Sequence, residues 1–408
     1  MKSIAWVFAV ASMVSALVAT SGTKESWAVI VSGDTFGYLS PCGCVKPMSG
    51  GIRRRVTAIR DLTVPDRTLI LDTGGLVKDQ TRQSEIKAET LAQAMRLGGV
   101  DAVHLSASDR QLGPAMTDAV ERLSQARLLG QATTFAKGPF MVAGIPGDRP
   151  DGAVRRLIME ATQADKVPVA LLDGGLAQAR TLAESFPELR LITFRAETTP
   201  AAEPIRVGKT WLITPGDKGK YVLRFFWNGV QFENLEVRTL GPDVHDHEAA
   251  SRTYATYLQR VKDEHLFEGM ARQTADAFAG NNACISCHQE EGKVWKNSRH
   301  ADALATLEKE NHDRDPDCVS CHVVGSEFTT GFMSRKETPQ LTDVGCESCH
   351  GPGAKHAMTP KVVKMPKVGA DSCMKCHNLN HSPTFNFDEY WKKIQHGPVE
   401  NVWESPRN

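Results

Sequence analysis

Eight of the ten cysteines repeat one spacing four times: Cys284-Ile-Ser-Cys287-His288, Cys318-Val-Ser-Cys321-His322, Cys346-Glu-Ser-Cys349-His350 and Cys373-Met-Lys-Cys376-His377. This is the attachment pattern of c-type haem. Two thiols add to the two vinyl groups of the porphyrin, and the next residue turns its imidazole onto the iron. The eight cysteines therefore read as thioether sites, and His288, His322, His350 and His377 as proximal iron ligands of four covalently bound haem c groups. Two other uses of paired cysteines fit less well. Zinc sites do not ask for a histidine after every second cysteine, and all four copies have one. A thioredoxin-like dithiol would sit on a βαβ unit, which this stretch lacks. A covalent tether also suits a segment of fewer than 130 residues, too small and polar to bury four loose cofactors.

Each iron has a second axial position, and its occupant sets potential and reactivity. Spare histidines in or near the segment are His265, His300, His312, His356, His381 and His396. Over residues 281–408 the chain resembles the cytochrome c-554 family of tetrahaem cytochromes. The resemblance is carried by Trp295-Lys-Asn-Ser-Arg-His300-Ala, by Cys346-Glu-Ser-Cys-His-Gly-Pro-Gly-Ala-Lys-His356, and by Tyr390-Trp-Lys-Lys-Ile-Gln-His396. It implies His300 as distal ligand of the third haem and His356 of the first, with the first and third haems face to face. For the fourth haem the expectation is His396, with His381 second. The resemblance also implies a second haem without a strong sixth ligand. His312 is the nearest competitor there, and Met333 and Met358 are further candidates. Bis-histidine ligation without methionine predicts low-potential haems.

The rest of the chain must position this segment. Met1-Lys2 and the uncharged apolar run Ile4–Ala19 read as an export signal, cleaved near Ser21/Gly22 or after Ala28, or else kept as a membrane anchor. Haem attachment outside the cytoplasm agrees with export, so the expected location is periplasmic or otherwise extracytoplasmic. From Trp27 to Leu240 short apolar runs alternate with segments of helical spacing, such as Ser84–Leu97 and Ala115–Ala126. The strand-like runs include Trp27–Val31, Thr68–Asp72, Ala102–Leu105, Val167–Leu172 and Arg190–Phe194. A hairpin through Asn228-Gly229 follows. The expected organisation is a signal or anchor over 1–28, an α/β domain over 29–240, a helical linker over 241–280, and a mainly helical, loop-rich multihaem cytochrome c domain over 281–408.

The α/β domain resembles the metallophosphoesterase domain of the 5′-nucleotidase/UDP-sugar hydrolase family, a four-layer sandwich. The landmarks are Ile30-Val-Ser-Gly-Asp34, Gly50-Gly-Ile-Arg-Arg-Arg55, Leu69-Ile-Leu-Asp-Thr-Gly-Gly75 and Pro215-Gly-Asp-Lys-Gly-Lys-Tyr221. The family's two metals need more ligands than this chain offers. Asp34 remains, but Phe36 stands where the first histidine belongs, Gly75 replaces an aspartate, and Ser106-Ala-Ser-Asp109 takes the place of Asn-His-Glu. Neither Leu172-Asp173-Gly-Gly nor Arg195-Ala-Glu-Thr holds a histidine, and His104 is the only one before Asp243. One aspartate and one histidine cannot build a binuclear site, so the expectation is a metal-free pseudo-phosphoesterase. Cys42-Gly-Cys44 has no place in that chemistry; a disulfide, a soft-metal site and a contact near a haem edge stay open.

Lys+Arg and Asp+Glu are equal at 48 each, so charge gives no case for nucleic acid. The expected work is one-electron transfer with other cytochromes or redox proteins. A small nitrogen or sulfur species reacting at an open second haem is the alternative, and stacking of copies into a homo-oligomer is a third reading.

Overall fold

The computed structural model describes residues 26–41, 47–130, 133–378, 381–382 and 384–397. The export signal and Cys42-Gly-Cys44 lie outside the described residues. The strands in chain order are β1 (Trp27–Ser32), β2 (Thr68–Asp72), β3 (Ala102–Val103), β4 (Arg127–Leu128), β5 (Thr134–Lys137), β6 (Phe140–Ile145), β7 (Val167–Leu172), β8 (Leu191–Thr193), β9 (Ile205–Val207), β10 (Thr210–Ile213), β11 (Tyr221–Trp227) and β12 (Phe232–Thr239). The longer helices are α1 (Ile52–Leu62), α2 (Arg82–Gly98), α3 (Ala107–Arg110), α4 (Pro114–Ser124), α5 (Asp151–Gln163), α6 (Leu176–Ser185) and α7 (Glu248–Asp263), where the four-residue α3 is counted for its place in the site.

Two mixed sheets result. One runs β12-β11-β1-β2-β3-β4, the other β5-β6-β7-β8-β10-β9. In the first, β1 to β4 are parallel and the β11–β12 hairpin adds antiparallel to β1. Their inner faces meet over an apolar core that includes Val29, Leu71, Phe140, Leu171, Trp211, Phe225 and Phe232. Helices α1, α2, α4 and α7 cover the outside of the first sheet, and α5 and α6 the outside of the second. The result is the expected four-layer α/β sandwich. Burial on both faces explains why β2 reads as an unbroken buried run.

Helix α7 is part of the outer helical layer. Its stripe Ala250, Tyr254, Tyr257, Leu258 and Val261 is buried in the core shared with α1 and α2. Beyond it the chain is made of short helices and loops around a small core of Phe267, Leu304, Leu307, Val319, Phe332 and Leu341. Among the described residues no helix is long and apolar enough to cross a membrane.

Candidate haem-binding site

Each attachment motif begins in or just inside a short helix: Asn281–Ile285, Pro316–Val319, Cys346–His350 and Ala370–Met374. One helical turn places the two cysteines and the following histidine on one face. The His288 amide donates to the Cys284 carbonyl at 2.9 Å, and the His377 amide to that of Cys373 at 2.8 Å, which holds this turn. None of the eight cysteines is in a disulfide, which leaves each thiol available for a thioether bond.

Three of the four motif histidines face a second imidazole. Ring centroids are 6.2 Å apart for His288 and His356, 6.0 Å for His350 and His396, and 6.2 Å for His377 and His300. Two imidazoles on opposite sides of one iron, each with a bond of roughly 2 Å and a ring radius of about 1 Å, would have centroids roughly 6 Å apart. The other ring nitrogens are engaged. Nδ1–H of His356 donates to the Val363 carbonyl at 2.7 Å, that of His396 to Ile394 at 2.8 Å, and that of His322 to Ala303 at 2.7 Å. The His377 Nδ1 meets the Ser382 hydroxyl at 3.3 Å. Such bonds fix the tautomer that leaves Nε2 as the free electron pair a metal needs. Burial lowers the pKa of His300, His350 and His377, which keeps these rings neutral. The residues thus fit haem c on both sides.

The motifs are braced against one another. Glu347, inside the third motif, is buried and accepts amides from Ala279 at 2.8 Å, Gly280 at 2.7 Å and Gly353 at 2.6 Å. It ties the chain entering the first motif to the loop that leads to His356. In return the Asn281 side chain accepts the Cys346 amide at 2.9 Å. The Cys284 thiol lies within hydrogen-bonding reach of Cys346, and Cys376 of Cys321. Residues of the first and third motifs, with His300 and His396, line one open pocket.

The pairing differs from the one the resemblance implies. His300 faces the fourth motif, not the third, and His396 faces the third, not the fourth. Val344, two residues before Cys346, holds the turn that carries His300. Its carbonyl accepts the Trp295 indole N–H at 2.8 Å, and its amide donates to the His300 carbonyl at 3.1 Å. The turn carrying His300 therefore runs alongside the third motif and presents its ring at the fourth. His381 is bonded through its amide to Asn378 and pairs with no histidine ring among the described residues. His322 likewise has no second imidazole among the described residues at a comparable separation. His312 is turned away to the Tyr254 hydroxyl at 3.0 Å.

In the first sheet the loops leaving β1, β2 and β3 gather a second polar cluster. Arg195 lies at its centre. Its guanidinium pairs with Asp34, donates from Nε to Asp173 at 2.6 Å, and reaches the Thr73 carbonyl at 2.9 Å. Burial lowers Arg195 to about 10, which still leaves it charged at neutral pH. A Cβ on Gly75 would lie 2.7 Å from both Arg195 Nη1 and Asp34 Oδ1, so the glycine in the family's aspartate position makes room for the guanidinium. Asp109 is turned inward and accepts the amides of Gly75 at 2.8 Å, Leu76 at 2.7 Å and Ser106 at 2.9 Å. Arg55 is paired with Asp72. No spacing in the sequence marks Arg195 as the residue that fills this site, because the loop after β8 brings it there from the second sheet.

Comparison with known proteins agrees with this division. The family described as cytochrome c554 and c-prime matches residues 283–351. Cytochrome c-554 of Nitrosomonas europaea is 31% identical over 189 residues, covering 80% of that protein and 32% of this chain. The multiheme cytochrome MtrA of Shewanella baltica is 26% identical over 142 residues, 38% of its length and 31% of this chain. The fold of the remainder is like that of a 5′-nucleotidase precursor from Thermus thermophilus, with a TM-score of 0.50 at 14% identity, covering 70% of this chain and 68% of that one. It is also like the NAD nucleotidase of Haemophilus influenzae, with a TM-score of 0.51 at 11% identity, covering 64% of each. Behind a metallophosphoesterase-like fold, then, the chain belongs to the cytochrome c-554 family and carries covalently bound haem c.

Proposed function

We propose that this is an exported four-haem cytochrome that carries electrons between redox partners outside the cytoplasm. The reading rests on one observation: three motif histidines each face a second imidazole at 6.0–6.2 Å, the separation expected across a single iron. Bound haem c supplies a one-electron couple at its iron. The eight motif cysteines would tether it, His288, His322, His350 and His377 would each hold an iron, and His356, His396 and His300 would supply the second imidazole for the first, third and fourth groups. The partners are other cytochromes or small redox proteins. Acidified acetone is expected to leave the colour on the protein, and the mass to exceed the processed chain by four haems; release of the colour, or a bare-chain mass, overturns the reading.

A second reading concerns His322, which no second imidazole faces among the described residues. It favours a second haem able to take a small nitrogen or sulfur species. Binding of carbon monoxide or nitric oxide by one haem per reduced chain supports it, and absence of binding removes it. Phosphoesterase chemistry is proposed to be absent, because the Arg195 guanidinium takes the place of a metal beside Asp34. Added manganese or zinc is expected to elicit no hydrolysis.

A further inference from the structure

Three of the four attachment segments are stapled to distant parts of the chain by the histidine each one faces. The second has no such staple among the described residues, yet it is the segment most closely tied to the phosphoesterase-like domain. Asp317, one residue before Cys318, pairs with Lys87 of α2 and with Lys78 at 3.1 Å. Asp315, three residues before Cys318, is buried and accepts Gln83 Nε2 at 2.7 Å and the Tyr257 hydroxyl at 2.9 Å. His312 meets Tyr254, and Lys262 pairs with Asp313 at 3.2 Å. Helices α2 and α7 thus grip the run from His312 to Cys318.

Lys87 is the unusual member of this seam. It is only 4% exposed, and lysines are rarely buried unless paired. Its side chain passes along the loop that leaves β1, where a Cβ on Gly37 would lie 3.2 Å from its Cδ. That glycine, with φ +77°, leaves the lysine a route past the loop to the second motif.

We infer that Lys87 is a positioning residue for the second haem, and that through it the phosphoesterase-like domain holds that haem's attachment helix and raises its reduction potential. The inference rests on haem being attached at Cys318 and Cys321. Reduction adds one electron and lowers the charge at the iron by one. A fixed positive charge close by, in a site poor in water, favours the reduced form. Asp317 acts with the opposite sign. Asp315 beside it is a second carboxylate in the same seam, so the potential reads the change made at Lys87 itself and not a net charge of the seam.

The test is a redox titration of the full holoprotein, followed by visible and electron-paramagnetic-resonance spectra. Lys87→Met is expected to lower one of the four midpoints by about tenfold in its equilibrium, about 59 mV for one electron. Asp317→Asn is expected to raise the same midpoint, and Lys87→Arg to keep it near the parent value. The other three midpoints should move much less. Opposite shifts from Lys87→Met and Asp317→Asn support the inference, since loosening of the seam alone would move both the same way. Unchanged midpoints, shifts of one sign, or Lys87→Arg behaving like Lys87→Met overturn it. If Lys87→Met does not accumulate folded, the Asp317→Asn and Lys87→Arg outcomes decide. A peptide mass for Cys318–Cys321 without haem would instead sink the attachment on which the inference stands.

Discussion

At the scale of the residue, Arg195 and Gly75 depend on each other. An aspartate at Gly75 would need a Cβ where the Arg195 guanidinium lies, on a backbone with φ +64° that favours glycine. Without the arginine, Asp34 at 1% exposure would lose the cation that pairs with it. Arg195→Met is therefore expected to destabilise the sandwich by about 3–5 kcal/mol, as breaking one side of a buried ion pair does. Urea unfolding followed by the sheet signal in circular dichroism measures this, and a loss below about 1 kcal/mol would mean that the pair is not what fills the site. A chelator is expected to leave the same unfolding midpoint in place, because the charge at the site is covalent. The candidate haem site was far more legible at this scale. The Cys-x-x-Cys-His spacing names twelve of its residues directly, and the segments around His300, His356 and His396 name the three histidines whose rings the fold sets against motif histidines. Which distal imidazole meets which motif histidine was not legible, because it depends on tertiary contacts such as the two backbone bonds that Val344 makes to the segment carrying His300.

At the scale of the element, strands with a continuous apolar run were legible to the residue: Thr68–Asp72 and Val167–Leu172 are β2 and β7 as expected. The segment Ser84–Leu97 became α2, extended at its start because the Thr81 side chain caps it. Very short strands such as β9 and β10 carry too few residues for a period to show. The stripe of α7 is visible as helical spacing, but its burial against α1 and α2 is not, since amphipathicity names a face and not the surface that covers it. Two expectations belong to such elements. Glu347 holds three amides from two loops, so Glu347→Gln, with one acceptor oxygen left, is expected to cost about 1–3 kcal/mol and to loosen the His288–His356 pair. A fall in the low-spin signal of one haem would register it. The carboxylates of the seam respond to acid in opposite directions. Burial pushes Asp317 up, but Lys87 and Lys78 outweigh it and hold the group below the ordinary carboxyl range. Its contribution is complete above about pH 4 and is lost as pH falls through the lower folded value. Burial raises Asp315, so its contribution is present below about pH 4 and declines as pH rises toward the folded value. Hydrogen exchange at the seam should show Asp317→Asn differing from the parent at neutral pH and converging with it in strong acid.

At the scale of the whole molecule, the attachment thiols form a row that departs from chain order. Cys284 of the first motif adjoins Cys346 of the third. The helix Cys346–His350 of the third packs against Ala370–Met374 of the fourth, and Cys376 of the fourth adjoins Cys321 of the second. The row therefore runs first, third, fourth, second, and its last member abuts the phosphoesterase-like domain through Asp315 and Asp317. The position of His300 in this row gives it more weight than one ligand among several, because its partner His377 belongs to the inner pair of motifs. His300→Ala is expected to convert one additional iron to the high-spin form and to slow re-equilibration of an electron between the two ends of the row. His396→Ala, which opens the iron of His350, should convert a different iron, so that the double variant shows two. His381→Ala should convert none. Carbon monoxide titration of the reduced variants counts the opened irons, and transient absorption after photoreduction times the exchange. A His300→Ala spectrum indistinguishable from the parent, or a double variant that opens only one iron, would break the assignment of His300 to the fourth haem and His396 to the third.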